Sequence, residues 1–395
     1  MSMAIENGHF EIIKWLKENG CTIDYTNCTQ AIAYGNLEIC KWMYRNGCPF
    51  SSSSCTEMAA FKGHFLLLKW LIEIGCEVST KTLSDAAAGG HFHILKWLRQ
   101  NGYDWDAYTC AKAAAIGNMK ILQWVRKLEC PWDEDTCADA AKSGHFEVLK
   151  WARAQQCPWD KDTCSNAAIN GHFEVLKWAI EEGCPIDEET YFNAARFGSV
   201  KILQYLVEKG HNISPNTCNF AAKSGKLEVL EYLWGIGVPK SYTACDDAAA
   251  SGQMEAIKWL RNNGFAWSCT TIAKAAHHIK VFKWLRINGC PWDANAILQI
   301  VQASNLKLLK WALKRGCSGP NNICDKEVTD LECLKTLYSW RYPLTEETWR
   351  NALNAGWIRY LSWLLKNKCP IDNQACQDCK EPDVIEWLKS HKLRL

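Results

Sequence analysis

Apolar and polar positions along this chain recur with the period of two short helices, and that pair repeats from end to end. Around residues 133–154, Phe146, Val148, Leu149 and Trp151 fall at helical spacing, with Glu147 and Lys150 directed outward. Equivalent outward pairs stand at Glu11–Lys14, Glu38–Lys41, Glu174–Lys177 and Glu255–Lys258. Aligning on the tryptophan of the LKW-like triplet gives Trp15, Trp42, Trp70, Trp97, Trp124, Trp151, Trp178, Tyr205, Tyr232, Trp259, Trp284, Trp311, Thr336, Trp363 and Trp387. The steps are 27 residues apart from one of 28, two of 25 and a last one of 24. A fixed period of this length marks a repeat architecture in which each unit buries its apolar face only against its neighbours.

Within a unit, the first helix opens on a capping residue. That slot reads Asp24, Ser51, Ser79, Asp106, Asp133, Asp160, Asp187, Ser214, Ser241, Ser268, Asp293, Thr345 and Asp372, and only Pro320 breaks it. A small pair such as Ala140-Ala141 follows and permits close approach of a neighbouring helix. Gly144 breaks the helix, His145 opens the second one, and a further glycine such as Gly20, Gly47, Gly75 or Gly183 ends it. The pattern predicts an all-α solenoid of about 14–15 helix pairs over residues 1–395. A half-repeat spans 1–20, regular repeats span 21–264, and 265–395 is less regular, because the two 25-residue steps remove the turn glycine. The chain opens inside a first helix without a cap, so the sequence predicts a contact through the N-terminal end, a missing upstream segment, or a merely frayed polar cap.

The run GHFEVLKW followed by GCPID (171–178, then 183–187) resembles the ankyrin repeat, whose units end in a G-H-x-E-V-V-K-x-L helix and a G-A-D-V-N turn. The likeness recurs along nearly the whole chain. Two features depart from the family: its T-P-L-H start is replaced by forms such as DTCAD at 135–139, and the period is six residues short of 33. The gap falls at the β-hairpin finger, so the fingers are expected to be shortened or absent. Short repeats of this style resemble those of large DNA viruses of protists and of unicellular eukaryotes.

The 22 cysteines invite a metal or redox reading. Nine occupy a slot six after the aligned tryptophan (Cys21, Cys48, Cys76, Cys130, Cys157, Cys184, Cys290, Cys317, Cys369), which Tyr103, His211, Val238, Phe265 and Tyr342 also fill. Nine more lie thirteen after it (Cys28, Cys55, Cys110, Cys137, Cys164, Cys218, Cys245, Cys324, Cys376), alternating with Leu83, Tyr191, Ile272, Ile297 and Trp349. Leucine and valine cannot replace a metal ligand, but they can replace a small buried hydrophobe. Trp132 and Cys137 stand at the two positions of a hydrophobic staple around Asp133. The histidine slot (His9, His64, His91, His145, His172, His278) also accepts Asn36, Asn118, Ser199, Lys226, Gln253 and Asn305, which fits a polar residue opening a helix. The C-x-x-C at 376–379 has no second pair nearby.

Net charge is +2 with 22% charged residues, and no apolar run approaches the length of a membrane span. There is no phosphate-cradling loop, nucleophile elbow or H-E-x-x-H motif. The N-terminus has no basic-then-apolar profile, so the expectation is a cytoplasmic or nuclear chain, in a host cell if viral, that is not secreted and whose cysteines are reduced. The sequence thus predicts a non-catalytic protein–protein interaction scaffold without cofactor or metal. Its expected partner is a protein, of acidic character; no small-molecule substrate, nucleic acid or membrane is expected. A narrower reading is a substrate receptor linking a host protein to a ubiquitin ligase. A third, a cysteine-based metal or redox protein, rests on cysteine number alone.

The ankyrin resemblance places the binding face at the two residues between the alanine pair and the turn glycine. Candidates there are Tyr34, Phe61, Lys62, Ile116, Lys142, Ile169, Arg196, Phe197 and Lys223, whose type varies from repeat to repeat. The periodic basic–aromatic LKW triplets read as a core stripe with solvated lysines.

Overall fold

A computed structural model describes residues 1–50, 52–326 and 328–393; the predicted cap Ser51 lies outside them. Among the described residues there are 29 α-helices, two 3₁₀ turns and no strand. The absence of fingers follows from the short period. The residues group into two compact units, Met1–Ile213 and Ser214–Leu395.

In Met1–Ile213 the helices come in pairs, as in Glu134–Ser143 with Phe146–Ala154 and Lys161–Ile169 with Phe173–Glu181. First helices pack side by side, Ala107–Ala115 against Glu134–Ser143 and that against Lys161–Ile169. The alanine pair explains the close packing: Ala140, Ala141, Ala167 and Ala168 are fully buried. In the second helices the core residues are Val148, Leu149 and Ala152, with Val175, Leu176 and Ala179 in the next repeat. The aligned tryptophans are not the innermost residues that the stripe predicted. Trp151 and Trp178 are half-buried and Trp15 is 59% exposed. Trp178 instead bridges, edge-on, to Phe146 of the preceding repeat at 5.6 Å and to Trp159 at 5.7 Å. The ring sits on the rim of the core and ties one repeat to the next.

The caps sort into several kinds. Asp24, Ser268 and Thr345 form full capping boxes. Asp160, Asp187 and Asp293 accept one backbone N–H. Ser241 does not cap the helix it was expected to open, because Thr243 holds the N-cap position of Ala244–Ala250. Glu174 pairs with Lys201 of the next repeat at 3.6 Å.

The histidines do more than open helices. His91 Nε2 lies 3.1 Å from the carbonyl of Phe61, and His64 Nε2 lies 3.0 Å from that of Ala33, each in the preceding repeat. These carbonyls end first helices and have no intrahelical partner. The ring reaches them by lying over the turn glycine: a Cβ on Gly63 would meet the His91 ring at 2.5 Å, and one on Gly144 the His172 ring at 2.5 Å. The glycine is therefore required twice, for its left-handed φ (+83° at Gly63) and for the notch that receives the ring. Asn118, in the same slot, accepts from the Ile121 N–H instead.

In Ser214–Leu395 the first helices are shorter in places. Cys269–Lys274 ends in a 3₁₀ turn at Ala275–His277, and the repeat beginning at Pro320 keeps only the turn Ile323–Asp325. Trp349, fully buried, donates its Nε1–H to the Cys376 sulfur at 3.3 Å.

Candidate interaction surface

The predicted surface residues sit at the C-terminal ends of first helices: Tyr34 ends Tyr25–Tyr34, Phe61 and Lys62 end Ser53–Lys62, Ile116 caps Ala107–Ala115, and Phe197 ends Glu188–Phe197. Because first helices pack side by side, these ends form a row in Met1–Ile213. Tyr34 (49%), Phe61 (42%), Ile116 (39%) and Phe197 (48%) are exposed, within two residues of fully buried side chains. Ile169 and Arg196 are half-buried, and Lys62 and Lys142 are exposed. Lys223, exposed, ends Asn216–Ser224 in the other unit.

The backbone of the row is fastened from behind. His91 holds the Phe61 carbonyl, and Asn170 donates to the Lys142 carbonyl at 2.6 Å. The basic residues have a local cause: Lys62, Lys142 and Lys223 stand in last helical turns, where a cation complements the negative end of the helix. Their charge alone does not mark an acidic partner.

A second candidate surface is the ridge of second helices. Lys150 Nζ lies 3.9 Å from the centroid of the Phe146 ring, Arg126 Cζ 4.0 Å from that of Trp132, and Arg153 Cζ 4.0 Å from that of Trp159. Of the triplet lysines, Lys14, Lys69, Lys150 and Lys283 lie over aromatic rings rather than being merely solvated.

The slot cysteines are buried except Cys21, which is exposed. First-slot thiols also donate to the cap-residue carbonyl one repeat back: Cys130 to Asp106 at 3.4 Å, Cys157 to Asp133 at 3.5 Å and Cys184 to Asp160 at 3.2 Å. The sulfurs of Cys28 and Cys48 are brought into contact, with Cα atoms 6.5 Å apart. No group of three or more His, Cys, Asp or Glu side chains that could hold a metal occurs among the described residues. No helix among them is long and apolar enough to cross a membrane. An open concavity of about 570 Å³ in Ser214–Leu395 is lined by Arg350, Asn354, Asp372, Gln374 and Asp378, with Arg350 bound to Asp372 at 2.7 Å.

No protein-family model matches the chain, and no curated protein does. Among solved structures, the chain is similar to the pentatricopeptide repeat protein PPR10 in complex with an 18-nt psaJ RNA element, and to a cysteine-to-serine variant of it in the same complex. Each match has 11% identity and a TM-score of 0.28, and covers 98% of this chain and 76% of the other. A likeness at this level assigns no ligand to this chain. The matched structures hold RNA, whereas the sequence reading expected no nucleic-acid partner. The cations stacked along the second helices are residue types that single-stranded nucleic acid also uses, which a core-stripe reading of LKW overlooked. The fold is a stack of helical repeats.

Proposed function

We propose that the chain is a non-catalytic scaffold of ankyrin-type repeats that binds a protein partner through the row of first-helix ends, the side such stacking makes concave. One observation carries this reading. In the two positions between the buried small pair and the turn, Tyr34, Phe61, Ile116 and Phe197 leave 39–49% of their surface exposed. Exposed aromatic and aliphatic groups on a rigid backbone are what a buried anchor cluster in a protein interface is made from. Repeats that vary at these positions while keeping their packing residues fit a recognition surface.

The test is affinity capture from a lysate of the source cells, using the full chain and a variant carrying Ile116→Ser and Phe197→Ser, each with and without nuclease treatment. The expected result is a protein retained by the wild-type chain after nuclease treatment and reduced at least tenfold on the variant, whose unfolding midpoint is unchanged. Retention of nucleic acid, or of the same proteins equally by both chains, would overturn the reading.

A further inference from the structure

Read one slot at a time, the cysteines behave as small hydrophobes. Read as facing pairs, they do not. The second-slot residue of one repeat faces the first-slot residue of the next, about twenty residues later. In Met1–Ile213 there are seven such facings, and cysteine occupies both sides or neither. Both sides are cysteine at 28/48, 55/76, 110/130, 137/157 and 164/184; neither is at Leu83/Tyr103 and Tyr191/His211. In Ser214–Leu395 the rule reverses, and each of the six facings has one cysteine: Cys218/Val238, Cys245/Phe265, Ile272/Cys290, Ile297/Cys317, Cys324/Tyr342 and Trp349/Cys369. A lone filler accepts any apolar neighbour. A bonding pair requires both partners.

The geometry matches the count. In the first of the five pairs, Cys28–Cys48, the sulfurs touch and the Cα atoms stand 6.5 Å apart, inside the range disulfides span. In each of the other four the facing sulfur lies near enough to perturb its partner's thiol. Cys164 and Cys184 belong to one buried cluster, covered by Trp159 and Trp178.

We propose that Cys55–Cys76, Cys110–Cys130, Cys137–Cys157 and Cys164–Cys184 are sites of reversible disulfide formation, which joins successive repeats of Met1–Ile213 covalently. The oxidant is a low-molecular-weight disulfide. One protein thiolate attacks it, releasing one small thiol and leaving a mixed disulfide. The facing thiolate then attacks the protein sulfur and releases the second small thiol. Two protein S–H bonds are lost, one S–S bond forms, and the oxidant leaves as two thiols carrying the electrons and protons. Contact with the facing sulfur and burial raise the Cys110, Cys137 and Cys164 thiols well above the ordinary range. These pairs therefore react through local opening of the turn. At Cys55 the Cys76 thiol and the Ser52 hydroxyl, 3.9 Å away, hold the thiol below that range.

The experiment uses the full chain, reduced and then equilibrated with glutathione disulfide, quenched with N-ethylmaleimide and digested for mass spectrometry. The expected result is the four cross-linked peptide pairs, while Cys218, Cys245, Cys290 and Cys317 are recovered as maleimide adducts. Oxidation is also expected to raise the unfolding midpoint of this unit by roughly 5–10 °C per bond closed, since each closes a loop of about twenty residues. In the variant Cys157→Val, which copies the native Cys218/Val238 facing, one bond's share of that rise disappears. Thiols persisting in the four pairs, cross-links outside the five facing pairs, or an oxidation-induced rise unaffected by Cys157→Val would each overturn the proposal.

Discussion

Replacing Gly63 with alanine separates the two reasons for a glycine at the joint between repeats. Its φ of +83° places alanine in the left-handed region, which costs roughly 1–2 kcal/mol; the lower entropy of the unfolded alanine chain returns about 0.5–1 kcal/mol. The new Cβ would also stand 2.5 Å from the His91 ring, so the ring must leave its notch. Its hydrogen bond to the Phe61 carbonyl goes with it, a further loss of about 0.5–1.5 kcal/mol, and the ring's edge contact with His93 is disturbed. The sum for Gly63→Ala is about 2 kcal/mol. Gly171 supplies the control, because its φ is +69° and nothing lies within 4 Å of a Cβ built there. Gly171→Ala therefore carries the backbone part alone, about 0.5–1 kcal/mol. Urea unfolding of both variants, with hydrogen exchange of the flanking helices to localise the loss, measures the difference. Equal destabilisation within about 0.3 kcal/mol would refute the notch and leave only the backbone requirement.

Other outcomes follow from single contacts. Burial holds the His91 pKa below its ordinary value; the unfolded chain then binds the proton more tightly, so stability present above pH ~6.5 is lost as pH falls through that value toward the folded pKa. His91→Asn, using the residue that Asn305 supplies in the same slot with a 3.0 Å bond to the Ala276 carbonyl, should flatten that slope in pH-dependent melting. Thr136 Oγ1 is buried without a partner, so Thr136→Val should be neutral or stabilising by up to about 1 kcal/mol. Thr271→Val should cost about 1–3 kcal/mol, because the Thr271 hydroxyl donates to the buried Asp246 carboxylate; denaturant midpoints compare the two. Gln156 holds φ +66° where other repeats have glycine, and Gln156→Gly should gain up to about 1 kcal/mol in the same assay.

The helix pairs, their pitch and the alanine contact were legible in the sequence because spacing and residue size alone determine them. The depth of the tryptophans was not. Periodicity marks which side of a helix is apolar, whereas Trp178 takes the edge of that side because its ring spans to Phe146 and Trp159. The histidines were legible only as polar openers, since their partner carbonyls lie about thirty residues earlier. The facing of Cys137 with Cys157 was hidden for a similar reason: scoring each slot separately discards which residues face each other. The exposed row was easier to find. Tyr34, Phe61, Ile116 and Phe197 differ from repeat to repeat where packing residues do not, and that irregularity is visible without coordinates.

The notch also bears on how such a chain changes length. Gly117 receives His145 and Gly144 receives His172 in nearly the same geometry, with Cβ approaches of 2.6 and 2.5 Å. Excising residues 118–144 would therefore present His172 to Gly117 and leave no joint without its fitting part. Duplicating the same segment would be equally neutral at its borders. Unequal recombination within the gene could thus lengthen or shorten this stretch in whole repeats, altering how many exposed helix ends are displayed without first having to invent a new interface.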